Sequence, residues 1–158
     1  TSAAQANTSN GNTYAKKTLA ATYTDAFSRV WFNPVSAASQ VNLVRYRTAT
    51  DASIGYVFIS ASGSLGVRND VAGTTTTSAT ALGIGSGWHS LELHMVVNGL
   101  SSTIEVWLDG AIVGDLSSTT ANLGATPIGR FQIGEVQSGR TYSVVYDDAA
   151  FATVRIGP

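Results

Sequence analysis

Apolar and polar residues alternate with a period of two along most of this chain, from about Tyr14 onward. Successive side chains of a β-strand point to opposite faces, so this period is typical of strands with one buried face. No stretch long enough for a helix repeats its apolar positions with the helical period. The pattern therefore predicts an all-β chain.

Clusters of Gly, Asn, Asp, Ser and Thr divide the alternating pattern into short strands. The predicted strands lie at 14–20, 27–33, 41–48, 54–60, 64–69, 88–97, 103–108, 111–116, 128–134 and 142–151. The Thr-rich stretch 72–81 fits either a loop or an edge strand, and we expect a strand followed by a loop. This many short strands predict an antiparallel sandwich or barrel.

The segment from Trp88 to Leu116 has the clearest pattern. Four apolar side chains of strand 88–97 share one face, and these are Leu91, Leu93, Met95 and Val97. Strand 103–108 repeats the alternation and is followed by Asp109-Gly110. Both residues tolerate positive φ, which a two-residue hairpin turn requires. We therefore expect a tight hairpin here, with a return strand at 111–116.

Length and charge limit the class of protein. With 158 residues the chain favours one domain, and we assign 14–158 to a single β-domain and 1–13 to a polar N-terminal segment, either a tail or an atypical strand. The net charge of −1, with 12% charged residues, leaves no basic stripe and disfavours nucleic acids and anionic membrane surfaces as partners. No apolar run is long enough to predict membrane insertion.

The sequence contains no cysteine, which excludes disulfides, thiolate nucleophiles and cysteine-bound zinc. Ser, Thr and Gly are abundant, whereas lysine occurs only as Lys16 and Lys17. This composition favours a secreted, extracellular protein. Because the chain begins with Thr1 rather than Met, we expect a mature or excised segment of a longer protein.

Two motifs resemble those of the concanavalin A-like superfamily, and in particular its laminin G-like modules in bacterial secreted proteins. The first is similar to the signature hairpin of these jelly rolls, and the second to their closing strand. The residues that carry the resemblance are Gly87-Trp88-His89, Leu91, Leu93, Ile104–Gly110, Ile112-Val113 and Asp147-Asp148. The resemblance implies an antiparallel β-sandwich of the jelly-roll type. It does not imply one function, because this fold carries lectins, enzymes and structural modules.

The N-terminal residues depart from that family pattern. Such domains usually open with one more strand before the strand predicted at 14–20, yet 1–13 are polar and lack apolar alternation. The first strand is therefore missing, atypical or supplied by another chain. An unpaired sheet edge of this kind can accept a strand from a neighbour, which is a route to self-association.

No catalytic arrangement is recognisable in the sequence. The β-glucanases of the superfamily carry a Glu-x-Asp-x-Glu strand, which is absent here. The three glutamates are far apart in sequence, although Glu92 and Glu105 could pair across neighbouring strands. His89 and His94 lie on opposite faces of one strand and therefore do not share a metal, and His89 fits a structural role in the hairpin. We predict a protein that is not an enzyme.

Strand parity collects side chains that suit a sugar-binding groove. Flat aromatic rings pack on the apolar faces of sugar rings, and charged groups hydrogen-bond the hydroxyls. In strand 27–33, Val30 and Phe32 are expected in the core, and the other face is left polar and aromatic. The predicted carbohydrate-binding residues are Arg29, Trp31, Glu92, His94, Glu105 and Trp107. The alternative for Trp31 and Trp107 is a place in the core, and we expect Trp88 in the core.

Two further groups have weaker signals. Arg45 and Arg47 share the parity of Val41 and Leu43, and we expect them on a solvated face rather than over the groove. The resemblance also implies a structural calcium ion near the C-terminal acidic strand, with Asp148 and Asp25 as ligands; no EF-hand spacing supports this independently.

These observations predict a non-catalytic, lectin-like module of a secreted protein that binds a polysaccharide or glycan and belongs beside a neighbouring domain or chain. The first alternative is a structural or adhesive subunit that packs with other chains through its sheet edge. The second alternative is a polysaccharide lyase or hydrolase with an unrecognised site.

Overall fold

The computed structural model describes residues 2–158, and almost all of its regular structure is β-strand. The strands are β1 (Ala4–Tyr23), β2 (Asp25–Ala37), β3 (Val41–Thr48), β4 (Ser53–Ile59), β5 (Ser64–Asn69), β6 (Thr74–Ala81), β7 (His89–Val96), β8 (Ser102–Leu108), β9 (Ala111–Ile112), β10 (Ser118–Ala121) and β11 (Ile128–Ala152). One short 3₁₀ turn, Gly114–Leu116, lies between β9 and β10. The prediction of an all-β, antiparallel fold is confirmed.

The strands form two layers that share β11. Layer A has the order β10-β8-β7-β2-β11, and layer B continues β11-β3-β4-β5-β6. The first part of β11, 128–133, pairs with β3, and its last part, 142–152, pairs with β2. Strand β1 runs antiparallel to β11 along both parts. The sheet therefore curls over on itself into a sandwich of the predicted jelly-roll type.

The core lies between the two layers. In layer A it contains the residues that the alternation predicted to be buried, which are Val30, Phe32, Leu91, Leu93, Met95, Ile104 and Val106. In layer B it contains Val44, Tyr46, Ile54, Val57, Ile59, Leu65 and Val67. The hydroxyl of Tyr46 donates a hydrogen bond to the carbonyl of Leu93, with an O···O distance of 3.2 Å, and this bond joins the layers. Burial raises the pKa of Tyr46 well above its ordinary value.

The predicted hairpin is present. Asp109 and Gly110 both have positive φ, and β8 continues into β9 through the Trp107–Ile112 pair. The carboxylate of Asp109 also accepts the N–H of Ser90 at 2.9 Å and contacts Nδ1 of His89 at 2.8 Å. His89 therefore holds the start of β7 against the turn. The return strand is shorter than the predicted 111–116, because the 3₁₀ turn replaces its second half.

The N-terminal segment and the Thr-rich stretch, for which the sequence left alternatives open, both form strands. Strand β1 begins at Ala4, so most of the polar N-terminal segment is strand rather than tail. Its side chains are mostly exposed, which explains why it lacks apolar alternation. The Thr-rich stretch forms strand β6, Thr74–Ala81, at the end of layer B. Within 2–158, no helix has the length and apolar character needed to cross a membrane.

Candidate functional site: a tryptophan cleft on layer A

The outer face of layer A carries all six residues predicted to bind carbohydrate. Strands β2, β7 and β8 are neighbours, and their register places Arg29, Glu92 and Trp107 in one row across the sheet. His94 and Glu105 lie opposite each other in the adjacent row, and Trp31 is opposite Ser90. Strand parity was sufficient to collect these side chains because the three strands pair directly.

Part of this face is covered by the chain itself. The segment 153–158, here named the closing segment, crosses β7 and β8. Glu92 accepts the N–H groups of Ile156 at 2.7 Å and Gly157 at 3.2 Å, and Arg155 lies over the Trp107 ring. As a result Glu92 is only 3% exposed and Trp107 only 8%. The expectation of an open groove at these two residues is therefore wrong, because backbone donors of the closing segment occupy the carboxylate.

His94 is also enclosed. Its ring stacks on Phe27 with a centroid distance of 3.8 Å. Nε2 lies 2.8 Å from Asp25 and Nδ1 lies 2.7 Å from Glu105. Both carboxylates are therefore engaged by one imidazole, which can donate to both only when it is protonated. The arrangement links β2, β7 and β8, and it leaves neither ring nitrogen free to contact a ligand.

The exposed part of the face is a cleft between Trp31 and Trp88. The cleft has a volume of about 450 Å³, and Asp147 and Asp148 form its acidic side. Trp88 is 45% exposed, so the expectation that it lies in the core is wrong. Trp88 directly precedes β7 and is two residues from Ser90, so its side chain lies on the same face of the sheet as that of Ser90. Ser90 in turn pairs with Trp31. Gly83, Gly85 and Gly87 all have positive φ, and this turn carries Trp88 outward.

A bulge in β11 shapes the acidic side of this cleft. Asp147 pairs with Trp31 and Ala150 pairs with Arg29, so β11 has one residue more than β2 between these pairs. Asp148 takes a positive φ of 45°, and its N–H donates to the carboxylate of Asp147 at 2.8 Å. The carboxylate of Asp148 forms an ion pair with Arg29. Bulges of this kind redirect side chains, and here two adjacent carboxylates reach the same cleft.

The two predicted calcium ligands do not meet. Asp25 bonds to His94, whereas Asp148 bonds to Arg29, which is four residues further along β2. Among residues 2–158, no group of three or more His, Asp or Glu side chains is arranged to hold a metal ion. The two carboxylates therefore do not form one ligand set, and calcium binding stays a prediction.

The two arginines expected on a solvated face lie on the outer side of layer B. Arg47 is half-buried and donates to Gln132 at 2.8 Å. Arg45 is only 7% exposed, which contradicts the expectation of a solvated side chain. Its guanidinium lies 4.1 Å from the centroid of the Tyr56 ring. Neighbouring strands β4 and β11 supply the side chains that cover it.

The fold is similar to that of several solved structures. The cellulose induced protein Cip1 aligns with a TM-score of 0.64 and 19% identity, over 85% of this chain and 70% of that chain. A tetrameric galectin from the ball sponge Cinachyrella sp. aligns with a TM-score of 0.64 and 9% identity, over 88% of this chain and 99% of that chain. A sialidase aligns with a TM-score of 0.71 and 9% identity, over 94% of this chain but only 15% of that chain.

The matched parts of these structures are jelly-roll β-sandwiches, so this chain has an antiparallel jelly-roll β-sandwich fold. At such low identities the likeness establishes the fold alone. No family model and no curated protein matches the sequence.

Proposed function

We propose that this protein is a non-catalytic carbohydrate-binding module that holds a sugar ring in the Trp31–Trp88 cleft. The observation that carries the proposal is the presence of two accessible tryptophans beside two carboxylates in one open cleft. Indole rings pack on the apolar faces of sugars, and carboxylates accept hydrogen bonds from their hydroxyls. The lectin-like fold supports the same function.

The cleft favours a neutral sugar as its occupant. Asp147 and Asp148 provide acceptors for hydroxyl donors, and they would repel an acidic sugar. Arg29 already pairs with Asp148, and Nη1 of Arg29 donates to the carbonyl of Gly157 at 3.1 Å. The guanidinium of Arg29 therefore holds the carboxylate of Asp148 in place at the cleft. In this proposal Arg29 supports sugar binding through Asp148 rather than by contacting the sugar itself.

Two arrangements support a binding role over a catalytic one. Glu92 is saturated by backbone donors of the closing segment, and Glu105 is held by His94. Neither carboxylate lines the cleft, so this cross-strand pair does not supply an acid and a base to a sugar there. The abundance of Ser, Thr and Gly supports placing the module outside the cell.

The test is retention on a panel of insoluble neutral polysaccharides. We expect the wild-type protein to be retained, Trp31→Ala and Trp88→Ala to be lost from the bound fraction, and Arg140→Gln to behave as wild type. Arg140 is the control because it lies in β11 away from the cleft, and among residues 2–158 its side chain hydrogen-bonds only to that of Gln137. A parallel arm with chelator tests the predicted calcium ion. Retention that survives both tryptophan variants would contradict the cleft, and release of soluble sugar from the polysaccharide would contradict the non-catalytic role.

The alternative function, a structural or adhesive subunit, is favoured by one observation on β1. This strand is 20 residues long and pairs only with β11, so its other edge is unpaired among residues 2–158. An open edge of this length can accept a strand from a second chain. Light scattering over a range of concentrations distinguishes the two functions: a growing mass without polysaccharide retention would favour the subunit.

A further inference from the structure

The two layers end, at the strands furthest from β11 in the sheet order, on either side of a groove. Layer B ends in β6, which pairs only with β5 among residues 2–158. Layer A ends in β9 and β10, and in the same part of the chain these strands pair only with β8. Two open cavities, of about 480 and 310 Å³, lie along β6 between these strand ends. We name the two cavities together the interlayer groove.

The side chain of Asp115 crosses the groove and lines both cavities. Its carboxylate accepts the hydroxyl of Ser78 and the backbone N–H of Ala79, each at 2.9 Å. The smaller cavity is also bounded by a bond from the amide of Asn69 to the carbonyl of Asn122, at 2.9 Å. The bond from Ala79 shows that an N–H on the free edge of β6 points into the groove and meets an acceptor there.

The first half of β6 has a free edge without such a bond. Thr74–Thr77 pair regularly with β5, and on their other edge the backbone N–H and C=O groups have no partner among residues 2–158. Strand β6 contains no charged residue and no proline, whereas β1 carries Lys16 and Lys17. Charged residues and prolines are common means of keeping an exposed edge from pairing. The edge of Thr74–Thr77 is therefore open to another strand.

The lining of the smaller cavity indicates which side chains fit it. Its floor consists of the core residues Val67, Ile104 and Leu116. Its walls carry the hydroxyl side chains of Thr74, Thr76, Ser117, Ser118 and Thr120. No aromatic ring lines either cavity, so the groove lacks the flat surface on which a sugar ring packs. Small β-branched side chains, which form favourable cross-strand pairs with Thr, suit this lining.

The charge of the groove indicates a further property of its occupant. Asp115 is the only charged residue that lines either cavity, and it is exposed. Among residues 2–158 it forms no ion pair. The hydrogen bonds from Ala79 and Ser78 hold the pKa of Asp115 below its ordinary value, so the carboxylate is ionised at neutral pH. A basic side chain is therefore favoured beside it. A second copy of β6 would not supply one, because β6 contains no basic residue.

We propose that the interlayer groove binds an extended peptide segment of a partner protein, which adds as a strand to Thr74–Thr77 and directs a basic side chain to Asp115. Backbone hydrogen bonds with the free edge provide affinity, and every second side chain, pointing into the groove, provides specificity. The segment that fits carries two β-branched residues and one Lys or Arg at alternate positions. The groove shares no lining residue with the Trp31–Trp88 cleft, so the proposal does not rest on sugar binding.

The test is an NMR titration with the capped peptide Thr-Val-Thr-Val-Thr-Lys-Thr, in which both Val side chains and the Lys side chain share one face. We expect the backbone amide signals of Thr74–Thr77 to shift and their hydrogen exchange to slow. A peptide with Glu in place of Lys should bind about fivefold more weakly or worse. Two N-methylated peptides block the N–H groups of one edge or the other, and at least one should not bind. No shift at Thr74–Thr77 with millimolar peptide would overturn the site, and unchanged binding of both methylated peptides would overturn strand addition.

Two neighbouring threonines provide a variant and its matched control. Thr76 pairs with the core residue Val67 and lines the smaller cavity, whereas Thr75 pairs with Arg68 and lies on the opposite face of β6. Thr76→Phe should fill the cavity and weaken peptide binding by about tenfold or more. Thr75→Phe should bind the peptide as wild type does, and the melting temperatures of both variants show that both are folded. Equal effects of the two substitutions on binding would overturn the assignment to the groove.

Asp115→Asn tests the charge. The amide oxygen of Asn still accepts the N–H of Ala79, so the contact across the groove is kept while the charge is removed. We expect this variant to bind the Lys and Glu peptides equally. Asp51→Asn is the matched control, because it removes one carboxylate that pairs with Lys16 outside the groove, and it should keep the preference for Lys. A preference that survives Asp115→Asn would overturn the role of Asp115.

Other occupants of the groove would give different results. A cello-oligosaccharide that shifts the amide signals of Thr74–Thr77 would assign the groove to sugars and overturn the proposal. A molecular mass that doubles without peptide, and returns to the monomer in Thr76→Phe, would assign it to a second copy of this chain and also overturn the proposal. The proposed sugar-binding function fails separately, because it is measured by retention on polysaccharide that depends on Trp31 and Trp88.

Discussion

The guanidinium of Arg155 lies 4.8 Å from the centroid of the Trp107 ring, and this contact fastens the closing segment over layer A. Two backbone hydrogen bonds to Glu92 hold the same segment. A six-residue stretch therefore decides which part of the aromatic face is open, and it leaves the Trp31–Trp88 cleft as the accessible part.

The first prediction concerns Glu92. Replacing it with Ala leaves the N–H groups of Ile156 and Gly157 without their acceptor, and we expect a loss of about 1–3 kcal/mol in the free energy of unfolding. Hydrogen exchange at these two amides should accelerate. Urea unfolding and exchange mass spectrometry measure the two effects. Unchanged exchange at both amides would contradict the role of Glu92 as the anchor of the closing segment.

The second prediction compares two tryptophans. Trp107 is 8% exposed beneath Arg155, so Trp107→Ala should cost about 3 kcal/mol or more of stability. Trp88 is 45% exposed, so Trp88→Ala should cost much less. Thermal unfolding of both variants gives the comparison. A reversed order, with Trp88 the more costly, would restore the original expectation that Trp88 belongs to the core.

The third prediction concerns acid. The hydrogen bond from Lys16, aided by the charges of Arg47 and Arg130, holds the pKa of Asp51 below its ordinary value. The unfolded chain therefore takes up a proton at higher pH than the folded chain does. The stabilisation is fully present above the unfolded value of about 4 and is lost as the pH falls through the lower, folded value. Asp51→Asn should lose less stability than wild type between pH 5 and 2 in urea unfolding. Parallel acid profiles would contradict this prediction.

The fourth prediction concerns the packing of layer B at Gly66. A Cβ atom at this position would lie only 2.2 Å from Cζ of Phe58, whose ring covers the glycine from the paired strand. Gly66→Ala should therefore destabilise the protein by about 1–3 kcal/mol. The double variant Gly66→Ala/Phe58→Leu replaces the ring with a shorter side chain and should recover part of this loss. If the double variant loses more free energy of unfolding than the two single variants lose together, the clash is not the cause.

Much of the fold follows from the sequence because alternation is a local signal. The parity of Val30, Phe32, Leu91 and Leu93 was sufficient to assign the core face of β2 and β7, since each side chain alternates with the next. The turn at Asp109-Gly110 was also readable, because positive φ restricts the residue types allowed there. The same parity brought Arg29, Trp31 and Glu92 to one face.

Only the tertiary structure decided which of those residues are accessible. Periodicity assigns Trp107 and Glu92 to the outer face, but it carries no information on the closing segment, which is distant in sequence and covers both. The exposure of Trp88 depends on the path of the preceding glycine turn, and the burial of Arg45 depends on the ring of Tyr56 from a neighbouring strand. The face on which a side chain lies is set by the geometry of its own strand. Whether that side chain is accessible to a ligand is set by contacts with segments that are distant in sequence.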